Sequence, residues 1–295
     1  LLLEALDRRL AEQAAKDAQP PAPAEVPGAD PEGEPPPLHV RPRSILHDVE
    51  MGRNPDRKTY ETEFTRLQGR LALAHRAARK LGLSTVVVFE GWDAAGKGST
   101  IRRITSALDA RHYRVVPIAA PTDEEKARHY LWRFWRRLGP AGSIVIFDRS
   151  WYGRVLVERV EGFAETPEWQ RAYAEINHFE RQITDHGTVV IKYWLHITPD
   201  EQLKRFQERE ETDYKAWKIT DEDWRNRDRW PDYERAVHDM VERTSTKAAP
   251  WTLVPANHKR HARLFVLQTL VDRLEAALPE APEGLTAPDE SVEST

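Results

Sequence analysis

The stretch from Phe89 to Thr100, FEGWDAAGKGST, combines glycines with a lysine at a spacing suited to holding phosphate groups. Gly91, Gly96 and Lys97 satisfy the spacing G-x-x-x-x-G-K of phosphate-binding loops. Glycines let the backbone curl so that successive N–H groups point at an anion, and the lysine reaches the phosphates between them. The loop residues expected to join this phosphate site are Ala94, Ala95, Gly98 and Ser99.

The loop departs from the most common form of this motif at two positions. Gly98 stands where serine or threonine usually follows the lysine, and Ser99 brings the hydroxyl one position later. That order is typical of small-molecule kinases rather than of GTPase switches and motor ATPases. Asp93 places a carboxylate among the phosphates, which needs a cation to offset the repulsion. We expect Asp93 to bind magnesium; the alternative is an Asx-turn that shapes the loop.

A second motif, IVIFDRSWYGR, runs from Ile144 to Arg154 and ends an apolar strand with an acid. Asp148 occupies the place where a strand-end acid holds magnesium beside a phosphate loop. The arginines that follow suit phosphate, because one guanidinium binds two oxygens at once. We therefore predict magnesium binding by Asp148 and phosphate or nucleotide binding by Arg149, Arg154 and Glu158.

The segment 203–232 is crowded with Arg, Lys and Trp and lacks a strong apolar stripe. These features predict a helical lid, since a kinase needs a cationic cover that keeps water away from the transferred phosphoryl group. The expected cations of the lid are Arg205, Arg209 and Lys218. The alternative is a solvated helix face whose charges pair at i,i+4 spacing.

The stretch ARHYLWRFWRRLG, residues 127–139, interleaves arginines with aromatic residues. Interleaving of this kind suits stacking on single-stranded nucleic acid, but the helical spacing favours a buried aromatic face. We expect these aromatic side chains to lie in the core. The arginines that can then edge a groove for an extended polyanion are Arg128, Arg133, Arg136 and Arg137.

Strand and helix patterns alternate around these motifs. Apolar residues at three-four spacing predict a helix from Asp56 to Lys80, and STVVVFE, from Ser84 to Glu90, is typical of a strand buried on both faces. Further strand runs begin at Tyr113, Gly142, Thr188 and Pro250. The alternation predicts an α/β fold: a doubly wound, parallel, five-stranded sheet flanked by helices, with ligands beyond the carboxyl ends of the strands.

Composition excludes several classes of function. The chain has 295 residues, 40% of them hydrophobic, and a net charge of −4 from 44 Lys and Arg against 48 Asp and Glu. That balance predicts no nucleic-acid or membrane partner. The absence of cysteine excludes disulfides and thiolate chemistry. Because no apolar run approaches the ~20 residues of a membrane span and the start lacks signal-peptide features, we expect a cytoplasmic protein.

Proline-rich segments bound the central part of the chain. Residues 1–40 combine a short amphipathic helix with the linker QPPAPAEVPGADPEGEPPP, which we expect to be mobile. We expect residues 41–280 to form the main domain and residues 281–295 a disordered tail. The chain begins with Leu1 rather than methionine, so we expect it to be a piece of a longer polypeptide.

Taken together, the motifs resemble the polyphosphate kinase 2 family from about Ile45 to Leu278. The resemblance is carried by FEGWDAAGKGS, APTDEEKARHYLWRFWR, IFDRSWYGRVLVERVEGF, EINHFERQI, YWLHITPDEQLKRFQERE, WKITDEDWRNRDRW and TSTKAAPWTLVPANHKRHAR. It implies a P-loop kinase with a helical lid, Mg²⁺ as cofactor with Mn²⁺ as an alternative, and a homo-oligomer. The catalytic residues that it implies are Asp93, Lys97, Asp148, Arg149, Arg209 and Lys218.

Within that family the chain most resembles the catalytic C-terminal half of the fused enzymes that phosphorylate AMP. We therefore expect in-line transfer of a terminal phosphoryl group from inorganic polyphosphate to AMP, giving ADP, with the donor chain along the arginine-rich surface. The alternatives are transfer to ADP or GDP, an ATP-dependent nucleoside or nucleotide kinase, and a non-catalytic module that binds polyphosphate.

Overall fold

The computed structural model of the chain describes residues 44–52, 54–212 and 219–279. The expected N-terminal helix and linker, the C-terminal tail and the lid cation Lys218 lie outside these residues. Among the helices inside them, none combines the length and the apolar character needed to cross a membrane.

A five-stranded parallel sheet forms the centre of the described chain. Its strands are β1 (Thr85–Gly91), β2 (Tyr113–Pro117), β3 (Ile144–Asp148), β4 (Val189–His196) and β5 (Trp251–Pro255). Their order across the sheet is β2-β3-β1-β4-β5. The predicted fold class and all five predicted strands are confirmed, since β-branched and aromatic runs of this length fit a pleated, buried surface.

Helices connect the strands and cover the sheet. They are α1 (Arg57–Lys80), α2 (Lys97–Thr105), α3 (Asp123–Lys126), α4 (Trp132–Trp135), α5 (Val157–Val160), α6 (Thr166–Asp185), α7 (Pro199–Glu210), α8 (Asp221–Asp228), α9 (Trp230–Thr244) and α10 (Lys259–Ala277). Short 3₁₀ helices span Ile45–Asp48 and Trp151–Val155. The Asp56 side chain caps α1 by accepting a hydrogen bond from the Thr59 amide (2.9 Å), which fixes where the predicted helix begins.

Helices cover both faces of the sheet, as neighbouring residues of β4 show. Successive side chains of a strand point to opposite faces. The hydroxyl of Tyr193 donates to the carbonyl oxygen of Val266 in α10 (3.2 Å), whereas the ammonium of Lys192 contacts Glu180 in α6 (2.7 Å). The sheet is therefore the middle layer of three, and ligands have access to it at its edges.

The aromatic stretch 127–139 departs from its prediction. It forms only the single turn α4, in which Phe134 is buried but Trp135 is 41% exposed and packs its edge on Phe179 at 4.8 Å between ring centroids. The expectation of a core position for Trp135 is wrong, because the helix stops before its second aromatic stripe faces the sheet.

Candidate active site

The loop between β1 and α2 presents free backbone amides at a helix start. Gly96 has a φ of 106°, a left-handed conformation that glycine adopts without strain, and Lys97 begins α2. Among the described residues, the amides of Gly96, Lys97 and Gly98 donate to no acceptor. Unpaired amides at a helix N-terminus attract anions, so the geometry suits a phosphate group.

Gly91 and Lys97 are tied together within the loop. A Cβ on Gly91 would stand 2.6 Å from the carbonyl oxygen of Leu195, so only glycine fits where β1 passes β4. The Lys97 ammonium donates to the carbonyl oxygens of Gly91 (2.7 Å) and Trp92 (3.3 Å). Burial lowers the pKa of Lys97, and the charge of Asp93 opposes that shift. The Lys97 side chain thus folds back onto the start of the phosphate loop.

Asp148 ends β3 beside the loop. Its strand neighbours β1, with Phe89 paired to Asp148, and parallel strands present their carboxyl ends at one edge. Its Oδ2 lies 3.9 Å from the position that a Cβ on Gly98 would take. Within the described residues, the Asp148 carboxylate forms no hydrogen bond or ion pair. It is therefore available to a ligand at the mouth of the loop.

Arg149 follows Asp148 in a left-handed conformation. Its φ is 65°, which is uncommon for a residue with a side chain, and its amide donates to the carbonyl oxygen of Phe89 (3.0 Å). Strained backbone of this kind persists where surrounding contacts fix it, often at functional sites. The turn directs the guanidinium back towards the loop, where Nη2 lies 3.1 Å from Asp93 Oδ1.

Asp93 is held by side chains from three other segments. Its Oδ1 accepts from Arg149, its Oδ2 from the Asn226 amide (3.0 Å) and its backbone oxygen from the Gln202 amide (3.1 Å). Its side chain is 17% exposed. No described backbone amide of the loop donates to its carboxylate, so the Asx-turn alternative is not formed. The contacts instead orient the carboxylate towards the edge of the sheet.

Arg205 differs from its prediction as a lid cation for phosphate. It is buried, and each of its five N–H groups donates within the protein at 2.6 to 3.1 Å. The acceptors are the Glu201 carboxylate and the carbonyl oxygens of Ala94, Ala95, Ala256 and Asn257. A guanidinium saturated in this way has no donor left for phosphate, so Arg205 positions the loop instead.

Arg154 and Glu158 form an ion pair at some distance from the loop. Arg154 Nε lies 3.2 Å from Glu158 Oε2, and its guanidinium stacks over the Tyr130 ring at 4.7 Å from the centroid. Burial raises the pKa of Glu158, and Arg154 opposes this. Because Arg154 is already paired, any contact with phosphate requires it to share or leave Glu158.

A buried network fixes the 3₁₀ turn that follows Arg149. Glu180 accepts hydrogen bonds at Oε1 from Trp151 Nε1 (3.1 Å) and the Tyr152 hydroxyl (2.7 Å), and at Oε2 from the Lys192 ammonium (2.7 Å). Lys192 is fully buried and also donates to the carbonyl oxygen of Thr244 (2.8 Å). Since every charge in the network is hydrogen-bonded, it holds the turn rigidly against α6 and β4.

A basic cavity of about 690 Å³ opens beside the loop and Asp148. Its cationic lining comprises Lys97, Arg102, Arg149, Arg205, Arg209, Lys259 and Arg263. Within the described ranges, Arg102, Arg209, Lys259 and Arg263 form no ion pair, although Glu208 and Asp223 also line the cavity. Arg263 Nη2 lies 3.4 Å from the Ser99 hydroxyl, and its Nε is buried with no described partner. Unpaired cations around free amides suit a polyanion.

The arginines of residues 127–139 are paired, in contrast to this lining. Arg133 and Arg137 lie 3.5 and 2.9 Å from the carboxylate of Glu125. Arg128 and Arg136 both stack on Trp132, at 4.3 and 4.5 Å from the centroid of its ring. None of these four arginines lines the basic cavity, although Arg128 and Arg133 line a second cavity that borders Arg149. Their role in binding a polyanion stays a prediction.

A second cavity of about 810 Å³ lies on the other side of Arg149. Its apolar lining comprises Ile118, Pro121, Tyr130, Phe134, Val157 and Phe163. Phe163 is 70% exposed. The lining also carries charged side chains: Glu125, Lys126, Arg128, Arg133, Arg149, Arg154, Glu158 and Glu222. An apolar wall with a few polar groups is the usual lining of a small-molecule site. Arg149 borders this apolar cavity as well as the basic one.

Comparison with known proteins identifies the family of this chain. The family model described as Polyphosphate kinase 2 (PPK2) matches residues 54–282. The chain belongs to the polyphosphate kinase 2 family. A solved structure of polyphosphate kinase 2 from Arthrobacter aurescens is similar to it with a TM-score of 0.75 and 35% identity, covering 80% of this chain and 88% of that one.

Two curated relatives in this family differ in the acceptor that their names give. The polyphosphate:AMP phosphotransferase of Pseudomonas syringae is 54% identical over 240 residues, which are 81% of this chain but 48% of that protein. The GDP-polyphosphate phosphotransferase of Mycobacterium tuberculosis is 38% identical over 224 residues, 76% of each. The chain thus spans about half the length of its AMP-named relative.

Three groups of residues in this polyphosphate kinase 2 chain were missed by sequence reasoning. They are Asn226 and Gln202, which hold Asp93; Arg102 of α2; and Lys259 and Arg263 of α10. The i,i+4 spacing of Lys259 and Arg263 directly after β5 is a signal that could have been used, since a helix that follows a parallel strand starts at the ligand-binding edge. No comparable pattern marks Asn226, whose role depends on the tertiary fold.

Proposed function

We propose that this domain transfers the terminal phosphoryl group of inorganic polyphosphate to AMP, giving ADP. The observation that carries the proposal is the position of Arg149 between a basic cavity at the phosphate loop and an apolar cavity beside it. The similarity to polyphosphate:AMP phosphotransferase supports AMP as the acceptor. A homo-oligomer and a cytoplasmic location remain predictions.

The donor chain is assigned to the basic cavity. Arg102, Lys259 and Arg263 add cations from α2 and α10 to its lining, and a linear anion with a charge on every phosphate can contact several of them at once. The free amides of Gly96 and Lys97 then hold the phosphates nearest the reaction. Arg209 adds a cation from α7.

The nucleotide is assigned to the apolar cavity. A nucleoside has an aromatic base that apolar walls and the exposed ring of Phe163 can cover, and the arginines in the same lining can hold its phosphate. Arg154 lies at this wall, where it can reach the acceptor phosphate by sharing its pair with Glu158. Arg149 contacts both substrates at the point where they meet.

A divalent cation, Mg²⁺ or Mn²⁺, fits the carboxylates at the loop. Among the described residues, no cluster of three or more His, Cys, Asp or Glu side chains is arranged to hold a metal. Mg²⁺ in kinases commonly takes one or two carboxylates and completes its shell with phosphate oxygens and water. Asp148, which has no described partner, and Asp93 would hold the ion, which would neutralise charge on the phosphates.

Transfer proceeds in line, without a covalent enzyme intermediate. An oxygen of the AMP phosphate attacks the terminal phosphorus, and the bond from that phosphorus to its bridging oxygen breaks. The shortened polyphosphate leaves with the electron pair on that oxygen. Lys97 and Arg149 stabilise the charge that accumulates on the moving group, and Arg205 and the Glu180 network fix the segments that carry them.

Product analysis with separate acceptors tests the proposal. The protein is incubated with Mg²⁺ and polyphosphate together with AMP, ADP or GDP, and a further tube contains AMP with ATP as the only donor. We expect ADP from AMP and polyphosphate. Products only from ADP or GDP would assign the related activities, and transfer from ATP with polyphosphate inert would contradict the proposed donor.

A further inference from the structure

Helix α8 and the start of α9, within the segment 203–232 that is predicted to be a lid, contact the loop at two successive residues, Trp92 and Asp93. The Trp230 ring, which begins α9 directly after α8, stacks on Trp92 with 3.6 Å between centroids and 11° between planes. Asn226 of α8 donates to Asp93 Oδ2. Arg227, the next residue of α8, donates to Gln202 Oε1 (3.2 Å), and Gln202 in turn donates to the backbone oxygen of Asp93. The attachment thus centres on Asp93.

The orientation of the Asn226 amide is determined by its two partners. Its Nδ2 lies 3.0 Å from Asp93 Oδ2, and its Oδ1 lies 3.1 Å from the hydroxyl of Tyr233. A carboxylate only accepts hydrogen bonds, so the amide nitrogen must face Asp93 and the amide oxygen must face the hydroxyl. The Asp93 carboxylate therefore sets the orientation of the Asn226 amide, and the hydroxyl of Tyr233, a residue that is 8% exposed, holds the amide oxygen by donating to it.

Both carboxylate oxygens of Asp93 are engaged by protein donors, Oδ1 by Arg149 and Oδ2 by Asn226. With a side chain that is only 17% exposed, few directions of approach are left. We infer that Asn226 is a positioning residue for the proposed reaction: its amide and a divalent cation compete for Asp93 Oδ2, so that loading of the cation loosens α8. This inference rests on the proposed role of Asp93 as a metal ligand.

The competition has a defined direction. A carboxylate oxygen has two lone pairs. Because the Asp93 side chain is only 17% exposed, we take the ion and the Asn226 amide to need the same one, so that the hydrogen bond is lost or stretched when the ion binds. Removing the amide abolishes this cost, so the ion binds more tightly. By reciprocity, whatever detaches α8 strengthens cation binding, and the cation weakens the attachment of α8.

Titration of the protein with Mn²⁺ alone, followed by the electron paramagnetic resonance signal of the free ion, tests the inference. The variants are Asn226→Ala, which removes the amide, and Tyr233→Phe, which removes the hydroxyl that holds the amide oxygen. The matched control is Asn177→Ala, because Asn177 donates to the carbonyl oxygen of Arg243 outside the site. We expect Mn²⁺ to bind about 3- to 10-fold more tightly to Asn226→Ala, a smaller gain in Tyr233→Phe and no change in the control.

An Asp93→Asn variant separates the competition at Asp93 from the proposed role of Asp93 as a metal ligand. Suppose that Asp93→Asn loses Mn²⁺ affinity, and that Asn226→Ala binds Mn²⁺ no more tightly than the unchanged protein. Asp93 then remains a ligand, but the competition with Asn226 is refuted. If Asp93→Asn leaves Mn²⁺ affinity unchanged, Asp93 is not a ligand and the inference falls with that part of the proposed function. The near-ultraviolet circular dichroism of the Trp92–Trp230 stack gives a second readout: Mn²⁺ should diminish it in the unchanged protein.

Discussion

At the scale of single residues, the side chains proposed to contact substrate differ from those that hold the loop in place. Lys97, Asp148 and Arg149 line the cavities, whereas every N–H group of the Arg205 guanidinium donates to an acceptor within the protein. Sequence reasoning found the first kind through motif spacing. The prediction for Arg205 was wrong because the sequence of a charged helix does not indicate whether an arginine donates to carbonyl oxygens or to phosphates.

Replacing Lys97 with Ala or Asp148 with Asn is expected to lower turnover by at least about 10²-fold while the fold is retained, since both residues lie at the cavity rather than in the core. Lys97 contributes charge at the loop, and Asp148 is the carboxylate that has no described partner. Steady-state rates with polyphosphate and AMP, beside circular dichroism spectra, check this. Near-normal turnover in either folded variant would remove that residue from the proposed chemistry.

Replacing Arg205 with Lys is expected to cost about 2–4 kcal/mol of unfolding free energy and to reduce turnover. An ammonium has three donors, so some of the four carbonyl oxygens that Arg205 ties together, two in the loop and two after β5, lose their partner. Urea unfolding and kcat measure the two effects. Arg128→Lys, at a more exposed position, is the matched control, and an Arg205→Lys variant as stable as that control would contradict the positioning role.

At the scale of elements, strands and helix starts were predictable because their signals are local. β1 and β4 are rich in β-branched and aromatic residues, and Thr122 with Glu125 has the sequence spacing of the capping box that the structure forms. The extent of α4 was not predictable, because packing against the sheet ends it after one turn. The contact of Trp92 with His196 was equally hidden: the indole Nε1 donates to His196 Nδ1 (3.0 Å) across the loop and the end of β4.

That contact predicts a pH dependence of stability. Burial, with a smaller contribution from His47, lowers the pKa of His196 from 6.5 to about 4. Between these values the unfolded chain binds a proton that the folded chain does not, so unfolding free energy falls as pH decreases, by up to about 1.4 kcal/mol per unit. Above pH 6.5 the contribution is complete.

Urea unfolding between pH 7 and pH 4 measures this effect. His196→Asn keeps an acceptor for Trp92 but cannot be protonated, so its stability should fall less steeply with decreasing pH than that of the unchanged protein. His178→Asn, at an exposed position, should leave the slope unchanged. Equal slopes in all three proteins would show that His196 is not the group responsible.

At the scale of the whole molecule, the net charge of −4 conceals a local basic surface at the carboxyl edge of the sheet. The sequence pattern favoured the arginines of residues 127–139 as the edge of the polyanion groove. Those arginines are compensated by Glu124 and Glu125, and the unpaired cations come from segments far apart in the chain. Only the fold brings Arg102 and Arg263 to the same cavity.

The basic cavity predicts a difference in salt dependence between the two substrates. A long polyphosphate chain that contacts several cations releases counterions when it binds, so its KM should rise steeply with salt concentration. The KM of AMP, a short anion in the apolar cavity, should respond weakly. Steady-state assays across a range of KCl concentrations compare the two, and a flat response for long polyphosphate would argue against an extended binding surface.

The central claim is that donor and acceptor enter through separate cavities that meet at Arg149. The measurement that tests it most directly is KM for each substrate in the double variant Lys259→Gln/Arg263→Gln, with Arg136→Gln as a control from the arginine-rich stretch. The account predicts a rise of about 10-fold or more in KM for polyphosphate, KM for AMP within about 2-fold of normal, and no change in the control. A rise in KM for AMP with KM for polyphosphate unchanged would contradict it.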